Sequence, residues 1–143
     1  MPDKFSLKKK ITIYAPASKV WQALIDPAMI KQYFFGVDAI GEWKEGSTVI
    51  YKGEWKGKPY EGRSKIIKIE PGKILKHSYW SESSGLQDVP ENYQIVTYRL
   101  TAANGNTALD LTEENLATEK MKELSDQTWG MVFDNLKKLL EKN

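Results

Sequence analysis

The chain has 143 residues, 41% of them hydrophobic and 28% charged, with a formal charge of +2 from 21 basic and 19 acidic side chains. That length suffices for one domain burying roughly 70% of its unfolded surface, the composition is that of an ordinary globular protein, and so small a charge excess creates little field to attract a nucleic-acid backbone. With no cysteine, disulfides, thiolate metal sites and a cysteine nucleophile are excluded.

No apolar run approaches the roughly 20 residues of a membrane span, and Met1 to Lys10 lacks the apolar stretch of a signal peptide. The expectation is a single domain over residues 1–143, located in the cytoplasm. Phe5 to Tyr14 reads as a first strand, with Ile11 and Ile13 alternating against Thr12 and Tyr14. Its basic run, Lys8 to Lys10, reads as a solvated strand end. Pro16 stops the strand, and Ala17, Val20, Trp21 and Leu24 then keep helical spacing. Asp26-Pro27 supplies an N-cap and a proline suited to the first helical position of a second short helix. Ile30, Tyr33 and Phe34 give that helix an apolar face, and Gly36 is placed to end it in the left-handed conformation.

From Val37 the period changes to two. Turn signals at Glu45-Gly46, Lys56-Gly57-Lys58-Pro59, Glu70-Pro71-Gly72 and Asn104-Gly105-Asn106 divide the chain into successive strands of an antiparallel meander. Val49, Tyr51, Gly53 and Trp55 share one face, and Val96, Tyr98 and Leu100 likewise oppose Thr97, Arg99 and Thr101. Ser81 to Asn92 is polar and longer than a hairpin needs, which makes it either a surface loop or a lid. Thr118 is the expected N-cap of a final helix running to about Glu141. Trp129, Val132, Phe133, Leu136 and Leu140 recur at three- and four-residue steps on one face of it. Gly130 inside that helix costs roughly 1 kcal/mol against alanine, and close approach by the sheet or a kink would account for it.

The segment from Ile11 to Pro27 resembles the opening of the START-related helix-grip domains of the SRPBCC superfamily, in the branch named after the activator of Hsp90 ATPase. Tyr33-Phe34-Phe35-Gly36, Trp43 to Gly46, Gly62 followed by Ile66 to Pro71, Leu109 to Asn115, and the helix from Trp129 to Leu140 follow in the order of that branch. The resemblance implies an α+β fold: one strand, two short helices, and a curved antiparallel sheet of about seven strands in all, wrapped around a long C-terminal helix. It further implies a noncovalent partner held between sheet and helix, an apolar or amphipathic small molecule. Two alternatives come with it, a co-chaperone role toward an Hsp90-type chaperone and a cyclase or dehydratase activity of the polyketide type. Many relatives carry a histidine where this chain has Glu113, so no catalytic residue is carried over.

Alternation and helical spacing put Trp43, Tyr51, Trp55, Tyr79, Tyr98, Trp129 and Phe133 on inward faces, where they would line an aromatic cavity or fill a core. His77, the only histidine, groups with Leu75 and Tyr79, and Glu113 follows Leu109 and Leu111 on their face. These nine residues are the expected ligand-binding set. His77 and Glu113 would serve as acid and base only if both reached one ligand atom. No nucleophile elbow, phosphate loop or dinucleotide fingerprint is present, and a single histidine without cysteine makes a transition-metal site improbable. No cofactor is expected, and the sequence leaves the oligomeric state open.

Overall fold

The computed structural model describes residues 5–141 and, at Trp55, the backbone alone. Strand β1 (Phe5–Ile13) is followed by α1 (Ala17–Ile25) and α2 (Pro27–Tyr33). Six strands then run in succession: β2 (Asp38–Gly41), β3 (Thr48–Trp55), β4 (Lys58–Glu70), β5 (Ile74–Ser81), β6 (Gln94–Ala103) and β7 (Asn106–Leu116). The long helix α3 (Glu119–Leu140) ends the order. Among the described residues, no helix is long and apolar enough to cross a membrane.

The turn chemistry sets the pairing. Lys56-Gly57 (φ 51° and 81°) and Asn104-Gly105 (φ 53° and 82°) hold both central residues in the left-handed region, as a two-residue type I′ turn requires. They lock Trp55 opposite Lys58 and Ala103 opposite Asn106. The result is one curved seven-stranded antiparallel sheet in the order β1-β7-β6-β5-β4-β3-β2. Since β1 and β2 lie at opposite edges, α1 and α2 have to carry the chain from one edge to the other. Asp26 starts α2 by accepting from the Ala28 backbone N–H at 2.9 Å, and Thr118 starts α3 by accepting from that of Met121 at 3.0 Å.

The left-handed glycine expected at the α2 exit is present, with an addition. Gly36 is left-handed (φ 75°), and so is Phe35 before it (φ 52°). An aromatic residue in that region is strained. The polar segment after β5 is a pinned loop: the Trp80 indole N–H donates to the Leu86 carbonyl at 3.1 Å, Arg63 and Tyr93 both hold the Asp88 carboxylate, and the Asn115 amide donates to the Glu91 and Tyr93 carbonyls, each at 2.9 Å.

The core is asymmetric along α3. From Trp129 onward, Val132, Phe133, Leu136 and Leu140 are buried against the sheet together with Ile13, Leu109 and Leu111. Lys137 fastens this end, reaching the Thr12 carbonyl at 2.6 Å and the Glu141 carboxylate at 2.7 Å, while Lys19 donates to the Leu140 carbonyl at 3.0 Å. Met131, just past Trp129, is nevertheless 47% exposed, and the first half is covered less, with Leu124 53% exposed. A surface ion pair of 2.8 Å from Lys9 to Asp126 holds it at the β1 edge.

Gly130 does not play the expected part. A Cβ there would stand 3.9 Å from the Lys9 side chain, an ordinary contact, and α3 continues through the position without interruption. Neither a close approach nor a helix break requires glycine, and the position faces Lys9 rather than the space beside Trp129. Gly130→Ala should therefore raise stability by about 1 kcal/mol, and Thr118→Ala should lower it by about 1 kcal/mol through loss of the cap. Urea unfolding midpoints of the two variants against the parent check both signs.

Candidate ligand cavity

Side chains alternate across a sheet whose neighbouring strands lie about 4.8 Å apart, so register decides which groups share its floor. His77 on β5 pairs with Val96 on β6, and Val96 pairs with Glu113 on β7. The three form one row on one face, with Val96 in the middle. Tyr79 pairs with Gln94 on one side of this row, and Leu75 pairs with Tyr98 on the other. Toward the far edge, Tyr51, Gly62 and Ser81 form a further row across β3, β4 and β5. Above this floor stand Leu24, Ile30, Tyr33, Phe34, Phe35 and Val37 from the helical segment, and Met121, Ser125, Thr128 and Trp129 from α3. Between them lies a cavity of about 560 Å³. Leu124 and Met131 line it while remaining half-exposed, which puts its mouth along α3 on either side of Trp129.

Gly62 keeps the floor open. A Cβ at that position would lie 2.9 Å from the Tyr79 hydroxyl oxygen and 3.0 Å from its ring. The missing side chain is thus the seat of Tyr79, which meets Tyr51 edge to face at 5.7 Å. On the roof, Trp129 is the common contact. Its ring meets Phe34 at 5.8 Å and Tyr98 at 5.9 Å, both edge to face, a preferred aromatic geometry.

The polar groups in this wall are few and deep. Glu113 is 4% exposed, and its Oε1 accepts from the Ser125 hydroxyl and, at 3.2 Å, from the Trp129 indole N–H. Burial raises its pKa, and those two hydrogen bonds act in the opposite direction. His77 Nδ1 lies 2.9 Å from the Ser78 carbonyl oxygen and 3.2 Å from Ser64 Oγ. Burial pulls the His77 pKa down from 6.5 to about 4, with the Ser78 bond opposing, so the ring is neutral near pH 7. Burial likewise pushes the Tyr51 hydroxyl up to about 12, partly offset by Ser64, and holds those of Tyr79 and Tyr98 well above their ordinary value. Among the described residues, the enclosed Trp43 indole nitrogen has no hydrogen-bond partner.

The sequence model of the family described as activator of Hsp90 ATPase homolog 1-like protein matches residues 14–141. The chain belongs to this family. Among solved structures it resembles the solution structure of ChR145 from Cytophaga hutchinsonii, at 42% identity over 99% of this chain and 97% of that one, with a TM-score of 0.84. CalU16 from Micromonospora echinospora is similar at 24% identity, covering 92% of this chain and 73% of the other, with a TM-score of 0.71. DynU16, a protein of the dynemicin biosynthetic locus, is similar at 19% identity over 99% of this chain and 48% of its own, with a TM-score of 0.79. These last two likenesses are of fold alone. No curated protein matches the chain.

Within this activator-of-Hsp90-ATPase-like fold, Trp43, Tyr51, His77, Tyr79, Tyr98, Glu113 and Trp129 all line the cavity. The side chain of Trp55 lies outside the described residues. Phe133 is a correction: it is buried in the core, its ring 6.0 Å from that of Trp129, and does not form part of the cavity wall. One helical turn beyond Trp129, the sheet has already closed on α3. His77 and Glu113 both face the cavity, two strands apart and without a direct hydrogen bond. Sequence reasoning missed Gln94, Ser125 and Thr128. Gln94 has the parity of Val96 and Tyr98, and Ser125 lies one turn before Trp129, but polar residues do not register in an apolar stripe.

Two measurements bear on this wall. Gly62→Ala must displace Tyr79, so it should destabilise the fold by about 1 to 3 kcal/mol and shift the near-ultraviolet circular dichroism of the tyrosines, whereas an alanine at the open turn glycine Gly46 should leave that spectrum alone. For His77, the folded pKa of about 4 lies below 6.5, so the unfolded chain binds the extra proton. Its contribution is complete above pH 6.5 and is lost as pH falls toward 4, by roughly 3 kcal/mol. Glu113, raised by burial, acts in the opposite sense on acidification. The stability gap between the parent and His77→Gln isolates the histidine, and it should shrink between pH 7.5 and pH 4.

Proposed function

We propose that this protein binds an amphipathic small molecule noncovalently between the sheet and α3. The observation that carries the reading is a cavity of about 560 Å³, inside the roughly 300–1,000 Å³ of small-molecule sites. Its wall is largely aromatic and aliphatic, and a few inward polar groups are set among them. Seven members of the expected set line this space, and they are the proposed ligand-binding residues: Trp43, Tyr51, His77, Tyr79, Tyr98, Glu113 and Trp129. Trp129 doubles as a reporter, because its ring sits in the roof in contact with Tyr98.

Family membership favours a second reading, docking to an Hsp90-type chaperone, which would appear as stimulated ATP hydrolysis when the two are mixed. The enzyme reading would require His77 and Glu113 to act on one ligand atom. They stand two strands apart, roughly 10 Å at the backbone, with Val96 between them. That separation suits two ends of a polar contact better than a shared proton.

Native mass spectrometry of gently purified protein should reveal a co-purifying small molecule, and an apolar ligand should quench tryptophan fluorescence. Tyr98→Ala gives the energetic check. Truncating an aromatic in a close-packed core costs about 3 to 5 kcal/mol, whereas a cavity-lining ring has fewer contacts to lose. The variant should therefore cost clearly less than 3 kcal/mol while weakening the quenching response. A full core cost together with no quenching by any apolar compound would leave partner binding as the function.

A further inference from the structure

Charge and hydrogen-bond direction narrow what the cavity accepts. Among the described residues, none of the lining side chains is a lysine or arginine, while Glu113 stands in the floor. A ligand ending in a carboxylate would bring its negative charge up against the acceptor oxygens of a carboxyl group, with no cation among the described wall residues to offset the lost hydration.

The remaining polar atoms specify a donor. The Ser78 carbonyl can only accept, so the contact at 2.9 Å fixes the ring proton of His77 on Nδ1. Nε2 therefore presents a lone pair, and it makes no hydrogen bond to any described residue. Two positions along β6, the Tyr98 hydroxyl makes none either; the Tyr98 ring lies 6.1 Å from that of His77. An acceptor and a donor thus stand side by side in an apolar wall, which is the pairing that an alcohol satisfies with its own proton and its own oxygen. Burial keeps His77 neutral and Tyr98 protonated across the neutral range, so both roles persist there.

Building on the binding reading, we infer that the floor around His77 and Tyr98 is a subsite for the hydroxyl group of an uncharged amphiphile, and that Glu113 excludes ligands ending in a carboxylate. The hydroxyl donates to His77 Nε2 and accepts from Tyr98, and the apolar remainder lies along Val96 toward the mouth at Leu124. Glu113 is a specificity residue here and takes no part in a covalent step.

The test uses the full chain at pH 8 with N-phenyl-1-naphthylamine, a neutral dye whose emission rises in apolar surroundings, displaced by three ten-carbon compounds: 1-decanol, 1-methoxynonane and decanoate. Decanol should displace the dye at about a tenth of the concentration decanoate needs, and at about a fifth of that for the ether, which lacks the proton to donate. Glu113→Gln keeps the acceptor oxygen for Ser125 and Trp129 and should bring decanoate to within about threefold of decanol. His77→Phe should erase the preference for the alcohol over the ether; the parent measurements decide the matter even if that variant does not fold. Decanoate competing as well as decanol in the parent overturns the inference and leaves cavity binding standing. No binding of the dye or of any of the three compounds removes the cavity-binding reading itself.

Discussion

The hydrogen bonds from Ser125 and Trp129 to the buried carboxylate of Glu113 are the constraint on which the rest of this architecture turns. A helix laid over a filled core is held chiefly by packing, as α3 is from Val132 to Leu140, with Lys137 and Lys19 fastening its end. Its first half covers a space instead, and dispersion contacts that end in a void hold nothing. The structure substitutes direction for contact. A hydrogen bond contributes about 0.5 to 1.5 kcal/mol, and more where the acceptor is ionised, and two of them converge on one oxygen atom. The same burial that strengthens them disfavours the ionised carboxylate, which is why the Glu113 pKa rises despite two donors. Seating the helix and keeping a carboxyl group in the cavity floor are therefore one arrangement, not two.

Trp129 divides the solid part of the protein from the open part. Its indole N–H belongs to the Glu113 clasp, one set of ring contacts reaches Phe34 and Tyr98 at the cavity, and another reaches Phe133 in the core. On the opposite wall, Gly62 gives Tyr79 its seat by lacking a side chain. Phe35 enters the roof from a left-handed backbone that an aromatic residue does not prefer. Strain of this kind persists only where the surroundings over-determine it, and here it falls in the turn that brings Phe34 and Phe35 into the cavity wall.

Much of the fold was legible because local rules and global topology agree. Asn104-Gly105 dictates a type I′ hairpin from chemistry alone, Asp26-Pro27 starts a helix, and alternation assigns Val49, Tyr51, Val96 and Tyr98 to the inner face. Family resemblance added the order of the elements. What periodicity cannot convey is position along an axis. Helical spacing places Phe133 on the face of Trp129 but says nothing of where the sheet closes, and Phe133 falls one turn past that point. The row of His77, Val96 and Glu113 was equally hidden: its register depends on the long β5–β6 connection, which Asp88 pins through Arg63 of β4 and Tyr93. Gln94, Ser125 and Thr128 escaped because a polar residue facing inward looks, in sequence, like one facing water.

A space of this size raises the question of why the core does not collapse into it. Filling it would require Tyr79 to leave Gly62, or Trp129 to give up Glu113, and each move strands a buried polar group or breaks an aromatic contact. The polar atoms of the floor also change what occupies the space. An apolar void stays empty and forfeits contacts on every side, whereas a cavity with hydrogen-bonding groups can hold water that satisfies them. Stability sacrificed by leaving the core unfilled is then partly returned by hydration. A ligand gains where its apolar body displaces poorly held water and its polar end reproduces the bonds of the rest. The few polar groups that keep the cavity from collapsing are for this reason also the ones that discriminate between ligands.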